Sequence, residues 1–192
     1  MPCIFPEVSA GARVMRSRED IPSHFAGAKE CLPSAWTGNA IDVLRDDRLP
    51  LYVRGGIVCM WCSPQEWRRC AIALATHRCS VAAEMGVRLD GRITRTLEIA
   101  RAYERGAATW NEVDSTLPDC NQCVTDLGGA WERADEKRRP NASALWEHFA
   151  ASLAVIEASK ADPHMMSLSV MDEAGGFSEA DASVLLAALD ED

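Results

Sequence analysis

The sequence of 192 residues lacks the features that define several large classes of protein. It has no apolar run close to the roughly 18 residues that a membrane-spanning helix needs, so we expect no membrane partner. The N-terminus has no early positive charge followed by an apolar run, so we expect no secretory signal and a cytoplasmic location. Lysine is scarce, with three lysines against 17 arginines, and no long basic patch exists. Direct binding of nucleic acid is therefore not expected.

Known catalytic motifs are missing as well. The sequence contains no phosphate-binding G-x-x-x-x-G-K-[ST] loop, no G-x-G-x-x-G, no G-x-S-x-G and no H-E-x-x-H. Adjacent carboxylates occur at Asp46–Asp47 and Asp172–Glu173, but neighbouring residues do not converge on one substrate atom. The sequence therefore offers no catalytic residues, and a non-enzymatic function is favoured.

Negative charge is present in excess and is distributed unevenly. Residues 1–96 carry 13 basic and 10 acidic residues, a net charge of +3, whereas residues 97–192 carry 7 basic and 19 acidic residues, a net charge of −12. From residue 142 onward, Lys160 is the one basic residue against ten carboxylates. Such a segment is either solvated surface or a binding surface for a basic partner. Glu179 and Asp181 are the candidate interaction residues in it.

Helical periodicity runs through most of the chain. The clearest helix extends from Ser63 to about Met85, because Ser63, Pro64 and Glu66 form a capped start and Gly86 forms a C-terminal stop. Its apolar stripe covers more than half of the circumference, which predicts a central helix buried by several neighbours. Residues 51–61 fit either a short helix or a buried strand, and residues 166–170 fit a short strand. Other helices are predicted near 22–31, 37–47, 92–105, from 109, near 119–138, 141–160, and from 178.

About five to seven helices with short connections predict an all-α, single-domain helical bundle. The sequence shows no alternation of strands and helices, so parallel α/β folds are not expected. We divide the chain into an irregular N-terminal arm (1–36), a helical core domain (37–161), and a connector with an acidic C-terminal helix (162–192).

Eight cysteines include two Cys-x-x-Cys pairs, Cys59 with Cys62 and Cys120 with Cys123. Four thiolates would suit a structural zinc ion if the fold brought the pairs together, although the 57 residues between them exceed the usual gap of about 15–20. Thiol redox chemistry is a second possibility, because a helix N-terminus lowers the pKa of a nearby thiol and Cys62 directly precedes Ser63. The third possibility is packing, since free cysteine behaves as a small apolar residue.

Six tryptophans are many for a chain of this length. Trp110 and Trp131 lie near breaks in the helical pattern. They are candidate interface anchors, because tryptophan is enriched at the energetic centres of protein interfaces. The alternative is that both belong to the core.

One segment, residues 66–113, carries a recognisable order of residues: Trp67, Cys70–Ala71, Arg95, Leu97–Glu98, Ala100–Tyr103 and Gly106. This order resembles small helical bacterial proteins of the immunity type, which carry a cysteine- and alanine-rich helix, an Asp/Arg turn and an Ala-Arg-x-aromatic…Gly helix. Asp90–Gly91 is followed here by Arg92–Ile93, where that family has an Arg-Pro turn. The resemblance covers about a quarter of the chain. It implies a soluble protein of a bacterium or its phage that neutralises a toxin by binding it, with no catalytic residues.

The sequence thus favours a non-enzymatic protein–protein interaction protein of the immunity or inhibitor type. We expect it to bind a basic protein partner through its acidic C-terminal third. The alternative is a helical protein with a structural zinc or thiol-redox site at Cys59, Cys62, Cys120 and Cys123.

Overall fold

The computed structural model describes residues 11–137, 139, 141–159 and 177–190. Within these residues the chain is dominated by α-helices, which confirms the predicted all-α class. The strand predicted at 166–170 lies outside the described residues. The nine helices found in the described residues are α1 (Ala26–Cys31), α2 (Ala40–Arg45), α3 (Leu51–Trp61), α4 (Pro64–Glu84), α5 (Gly91–Glu104), α6 (Trp110–Asp114), α7 (Leu117–Glu136), α8 (Ala142–Ala158) and α9 (Glu179–Asp190).

The chain before α2 forms a short arm that includes a two-stranded antiparallel sheet. Strand β1 (Arg16–Ser17) pairs with β2 (Thr37–Gly38), with Arg16 opposite Gly38. The arm is attached to the start of α4, where the Ala12 N–H donates to the Glu66 carboxylate at 3.0 and 3.1 Å. Glu66 therefore fixes the arm as well as its own helix end.

Helix α4 begins and ends as its sequence predicts. The Ser63 hydroxyl accepts from the Glu66 N–H at 3.3 Å, and the Glu66 carboxylate accepts from the Ser63 N–H at 2.7 Å. Pro64 is the first helical residue, and Gly86 after the helix has a φ of +78°, a left-handed conformation that favours glycine. The helix packs against α8, α9 and α5, which confirms its predicted central place.

Replacing the cap residue should weaken the fold measurably. We expect Ser63→Ala to lower the free energy of unfolding by about 1 kcal/mol, because the Glu66 N–H loses its acceptor. Urea unfolding measures this change. Ser80→Ala, at an exposed position of the same helix, is the matched control and should be close to neutral. Equal stability of the Ser63→Ala and wild-type proteins would contradict the assigned cap.

The structure decides between two predictions for α3 and differs from the prediction for α7. Residues 51–61 are helical, and Gly56 in α3 lies against the Phe25 ring, where no side chain fits. Helix α7 starts at Leu117, earlier than predicted, because Pro118 occupies the first turn, where its missing N–H costs no hydrogen bond. The helix also passes Gly128–Gly129 without a break.

The main core lies between the arm, α2, α3, α4, α8 and α9, with contributions from α5 and α7. Trp67, Leu44, Ile57, Ile93 and Leu185 are among its fully buried large side chains. None of the described helices combines the length and the apolar character required to cross a bilayer.

Candidate functional site

The first cysteine pair lies where α3 ends and α4 begins. Cys62 is fully buried, and its thiol is within hydrogen-bonding distance of the buried Cys70 thiol, with Cys59 close by. The hydrogen bond with Cys70, together with burial, raises the pKa of Cys62 far above its usual range. The prediction that the start of α4 lowers this pKa is therefore corrected, because the Cys70 hydrogen bond and burial together outweigh the helix dipole.

The second pair lies on the inner face of α7, beside the start of α5. Burial raises the pKa of Cys120 to about 12, even though the Thr96 hydroxyl hydrogen-bonds to its thiol. Burial and the negative charge of Asp90 raise the pKa of Cys123 to about 11. Both thiols are therefore protonated near neutral pH, and neither is an activated nucleophile.

The structure does not bring the two pairs together as the zinc hypothesis required. Among the described residues, no group of three or more His, Cys, Asp or Glu side chains is arranged to hold a metal ion. The seven described cysteines are free thiols, six of them buried and Cys31 exposed. Cys59 and Cys62 pack with Cys70, whereas Cys120 and Cys123 pack with α5.

The raised pKa values predict slow alkylation of the buried thiols in the folded protein. At pH 8 we expect Cys123 to be thiolate in only on the order of one molecule in a thousand, given its pKa of about 11. Iodoacetamide labelling followed by peptide mass spectrometry should modify Cys31 before the six buried cysteines of the described residues. Cys120 and Cys123 should react at a comparable rate only after unfolding in guanidinium chloride. Labelling of Cys123 as fast as Cys31 in the folded state would contradict the assignment.

A polar cluster around Asp90 fixes the start of α5. The Asp90 carboxylate accepts from the Arg92 backbone N–H at 2.8 Å and from its guanidinium at 3.0 and 2.8 Å. Arg92 therefore holds the pKa of Asp90 well below its usual range. The Asp90 N–H donates to His148 Nε2 at 3.2 Å, and burial lowers the pKa of His148, so the ring is neutral at pH 7.

This cluster links α5 to α8 and, through Arg92 and Asp126 at 3.7 Å, to α7. The Asp90 carboxylate is also hydrogen-bonded to the Cys123 thiol, but its bonds to Arg92 lower its pKa and make it a weak base. The sequence patterns did not single out Asp90 or His148. The available signal was the position of Asp90 directly before an apolar-periodic helix, which is typical of an N-cap.

The acidic C-terminal segment forms ion pairs within the fold. Its four carboxylates with described side chains all lie within ion-pair distance of an arginine from the first half of the chain. Asp181 accepts from Arg78 Nε at 2.9 Å and from Nη2 at 2.6 Å, while Glu147 lies 3.9 Å from Arg78 Nη1. Glu179 lies 3.4 Å from Arg54. Asp190 lies 3.6 Å from Arg45.

The prediction of Asp181 as an interaction residue is therefore corrected. Its side chain is 1% exposed, and it also accepts from the Ser178 N–H and hydroxyl at 2.8 and 2.7 Å, as the cap of α9. The Asp181 carboxylate is therefore buried and hydrogen-bonded within the chain, and a partner cannot reach it. The Glu179 side chain remains 72% exposed and accessible.

Trp131 belongs to a cluster of three aromatic side chains on α7 and α8. Its ring centroid lies 4.8 Å from that of Trp146 and 6.3 Å from that of Phe149, and the latter two are 5.7 Å apart. Gly128 permits the approach, since a Cβ there would lie 3.2 Å from the Phe149 ring. All three rings are partly exposed, and they lie outside the main core cluster.

Trp110 is also partly exposed, but its contacts hold α6 on α5. Its ring meets the Tyr103 ring edge-on at 5.7 Å, and the Arg68 guanidinium lies 5.0 Å from the Tyr103 centroid. Trp110 thus has a packing contact within the fold.

The segment Trp110–Glu136, which spans α6 and α7, carries seven carboxylates against one arginine. Among the residues described, only Asp126 of these carboxylates has an ion-pair partner, Arg92. Most of this negative charge is therefore not neutralised by ion pairs among the described residues. Two basic residues, Lys137 and Arg139, come shortly after this acidic segment in the chain.

Comparison with known proteins returned no match: no protein-family model, no curated protein and no solved structure is similar to this chain. The resemblance of residues 66–113 to immunity proteins therefore stays a prediction.

Proposed function

We propose that this protein is a non-enzymatic protein-binding protein of the immunity or inhibitor type, with its binding surface on α7 and the start of α8. The observation that carries the proposal is the partly exposed cluster of Trp131, Trp146 and Phe149 outside the main core. Aromatic side chains with exposed faces supply large contact area at low entropic cost, which is why they dominate interface energetics.

The chemistry of the rest of the molecule supports a binding role. The thiols of Cys62, Cys120 and Cys123 are protonated, and His148 is held neutral by burial. The carboxylates of α9 stabilise the fold. We also propose a cytoplasmic location, because free thiols in these numbers suit a reducing compartment.

The partner we infer is basic, as the charge of the chain suggests, and it contacts α7 and the start of α8 instead of α9. The unneutralised carboxylates lie on α6 and α7, whereas those of α9 already pair with arginines. An acidic rim beside an aromatic centre accelerates association with a basic partner and disfavours neutral or acidic competitors.

A matched pair of triple variants tests this proposal. The first neutralises Glu132, Asp135 and Glu136 on α7 by Gln, Asn and Gln. The control neutralises three exposed carboxylates elsewhere, Glu30, Asp47 and Glu84, in the same way. Both variants lose three negative charges, so they differ only in where the charge is lost.

The measurement is affinity capture from the native host, followed by titration of the captured protein. We expect the α7 variant to bind about tenfold more weakly than the wild-type protein at low salt, and the difference to shrink as salt screens the charges. The control variant should bind like the wild-type protein. Equal binding by the two variants, or no protein specifically held by the wild-type chain, would contradict the proposal.

A further inference from the structure

A cavity of about 190 Å³ opens between the start of α5 and the junction of α6 and α7. It lies apart from the aromatic cluster, and Asp119 is its one residue among the acidic residues of α6 and α7. The polar side chains that line it are Arg92, Arg95, Thr96, Ser115, Thr116 and Asp119.

Two hydroxyl groups of this lining, those of Ser115 and Thr116, can only accept hydrogen bonds from a ligand, whereas the Thr96 hydroxyl is buried beside the Cys120 thiol. Thr116 donates its proton to the Val113 carbonyl at 2.8 Å. Ser115 donates to the Glu112 carbonyl at 2.7 Å. Because a hydroxyl has one proton, each oxygen offers only lone pairs to the cavity. A ligand that donates several hydrogen bonds fits this wall.

Some charged groups of the lining already form ion pairs within the chain, and others do not. Arg92 is engaged by the Asp90 carboxylate and lies near Asp126. Arg95 and Asp119 are both exposed, and neither forms an ion pair with any residue in the described part of the chain. The cavity therefore offers one available positive and one available negative group.

A simple anion is a poor fit despite the nearby helix start. The Asp90 carboxylate already accepts from the Arg92 N–H, so a negative charge occupies the N-terminus of α5. A second anion would meet Asp90 and Asp119 together. A simple cation would meet Arg92 and Arg95.

We propose that this cavity binds a small zwitterion that carries one ammonium and one carboxylate, of amino-acid size. The ammonium group donates to the Asp119 carboxylate and to the hydroxyl oxygens of Ser115 and Thr116. The ligand carboxylate accepts from the Arg95 guanidinium. The acceptor-only hydroxyls match the ammonium group of this ligand, and the pair of opposite available charges matches a zwitterion better than a singly charged compound.

The test is a titration followed by ¹H–¹⁵N correlation spectra of the whole chain. The probes are unbranched ω-amino acids of increasing length, from glycine to 6-aminohexanoate, with n-butylamine and butyrate as matched singly charged compounds. We expect at least one amino acid to shift the amide resonances of Gly91, Thr96 and Thr116. Its dissociation constant should be at least about tenfold lower than that of either singly charged compound.

Substitutions then assign the contacts. Arg95→Gln and Asp119→Asn are exposed changes, so both variants should stay folded while each loses about tenfold or more in affinity for the same probe. The matched controls are Arg88→Gln and Asp114→Asn, which do not line the cavity. Three results would each overturn the proposal: no amino acid shifts these resonances at millimolar concentration, n-butylamine or butyrate binds as tightly, or the two lining variants bind like the controls.

Discussion

Asp181→Ala is expected to lower the free energy of unfolding by about 3–5 kcal/mol, because it leaves the buried Arg78 guanidinium without its bidentate partner. Arg78 is 6% exposed, so water does not replace the lost contact. The same substitution removes the acceptor for the Ser178 N–H at the start of α9. Guanidinium chloride unfolding followed by circular dichroism measures the loss.

Glu179→Ala is the matched control for this experiment. It removes an ion pair between the same two parts of the chain, but its 72% exposed carboxylate lies 3.4 Å from Arg54 in a solvated setting. The expected loss is below about 1 kcal/mol. Similar losses for Asp181→Ala and Glu179→Ala would show that the Arg78–Asp181 pair does not anchor α9.

Gly56→Ala is expected to destabilise the protein by about 1–3 kcal/mol through overpacking against the Phe25 ring. A Cβ at this position would approach three atoms of that ring, with Cε2 at 3.0 Å and Cε1 at 3.2 Å. The gain in helix propensity from glycine to alanine, about 1 kcal/mol, opposes this cost and does not cancel it, because Phe25 is itself buried.

Gly27→Ala in α1 separates the packing cost from the helix propensity. A Cβ at Gly27 has no atom within 4 Å, so the substitution should leave stability unchanged or raise it. Thermal unfolding of the two alanine variants should shift the midpoint in opposite directions or by clearly different amounts. A Gly56→Ala protein as stable as the Gly27→Ala protein would contradict the close packing of α3 on the arm.

Local sequence signals predicted the helix ends well, because a cap involves residues three apart in the chain. Ser63 and Glu66 form the expected reciprocal hydrogen bonds, and the same arrangement begins α6 at Thr109 with Glu112 and α9 at Ser178 with Asp181. The glycine stop predicted after α4 also forms, with φ of +78° at Gly86, and Gly106 with φ of +70° follows α5 in the same way. In each case the physical cause acts within one helical turn.

Long-range pairing could not be predicted in this way. The sequence shows that the first half is basic and the second half acidic, but it does not show which charged residues pair. Asp181 pairs with Arg78 across 103 residues, and Glu179 pairs with Arg54 across 125. Only the packing of α9 on α3 and α4 brings these groups together. The excess of negative charge in the second half suggested a basic partner. Some of these carboxylates instead pair with arginines in the first half of the same chain.

The cysteine pairs show the same limit. Spacing placed Cys62 beside a helix start, where a lowered pKa was a reasonable prediction. The contact with Cys70, eight residues later, and the complete burial of both thiols decided the opposite result. Whether Cys120 and Cys123 approach this pair depended on how α7 packs, which no local pattern determines.

The central functional claim is that a partner binds the aromatic and acidic surface of α7 and α8, and not the acidic helix α9. The most direct test is the map of chemical-shift changes in the ¹⁵N-labelled protein on addition of its captured partner. We predict shifts of the Trp131 and Trp146 indole N–H resonances and of the amides of residues 131–136. The buried Trp67 indole and the amides of Glu179–Asp190 should be unchanged. Shifts confined to Glu179–Asp190, with the Trp131 and Trp146 indoles unaffected, would contradict the claim.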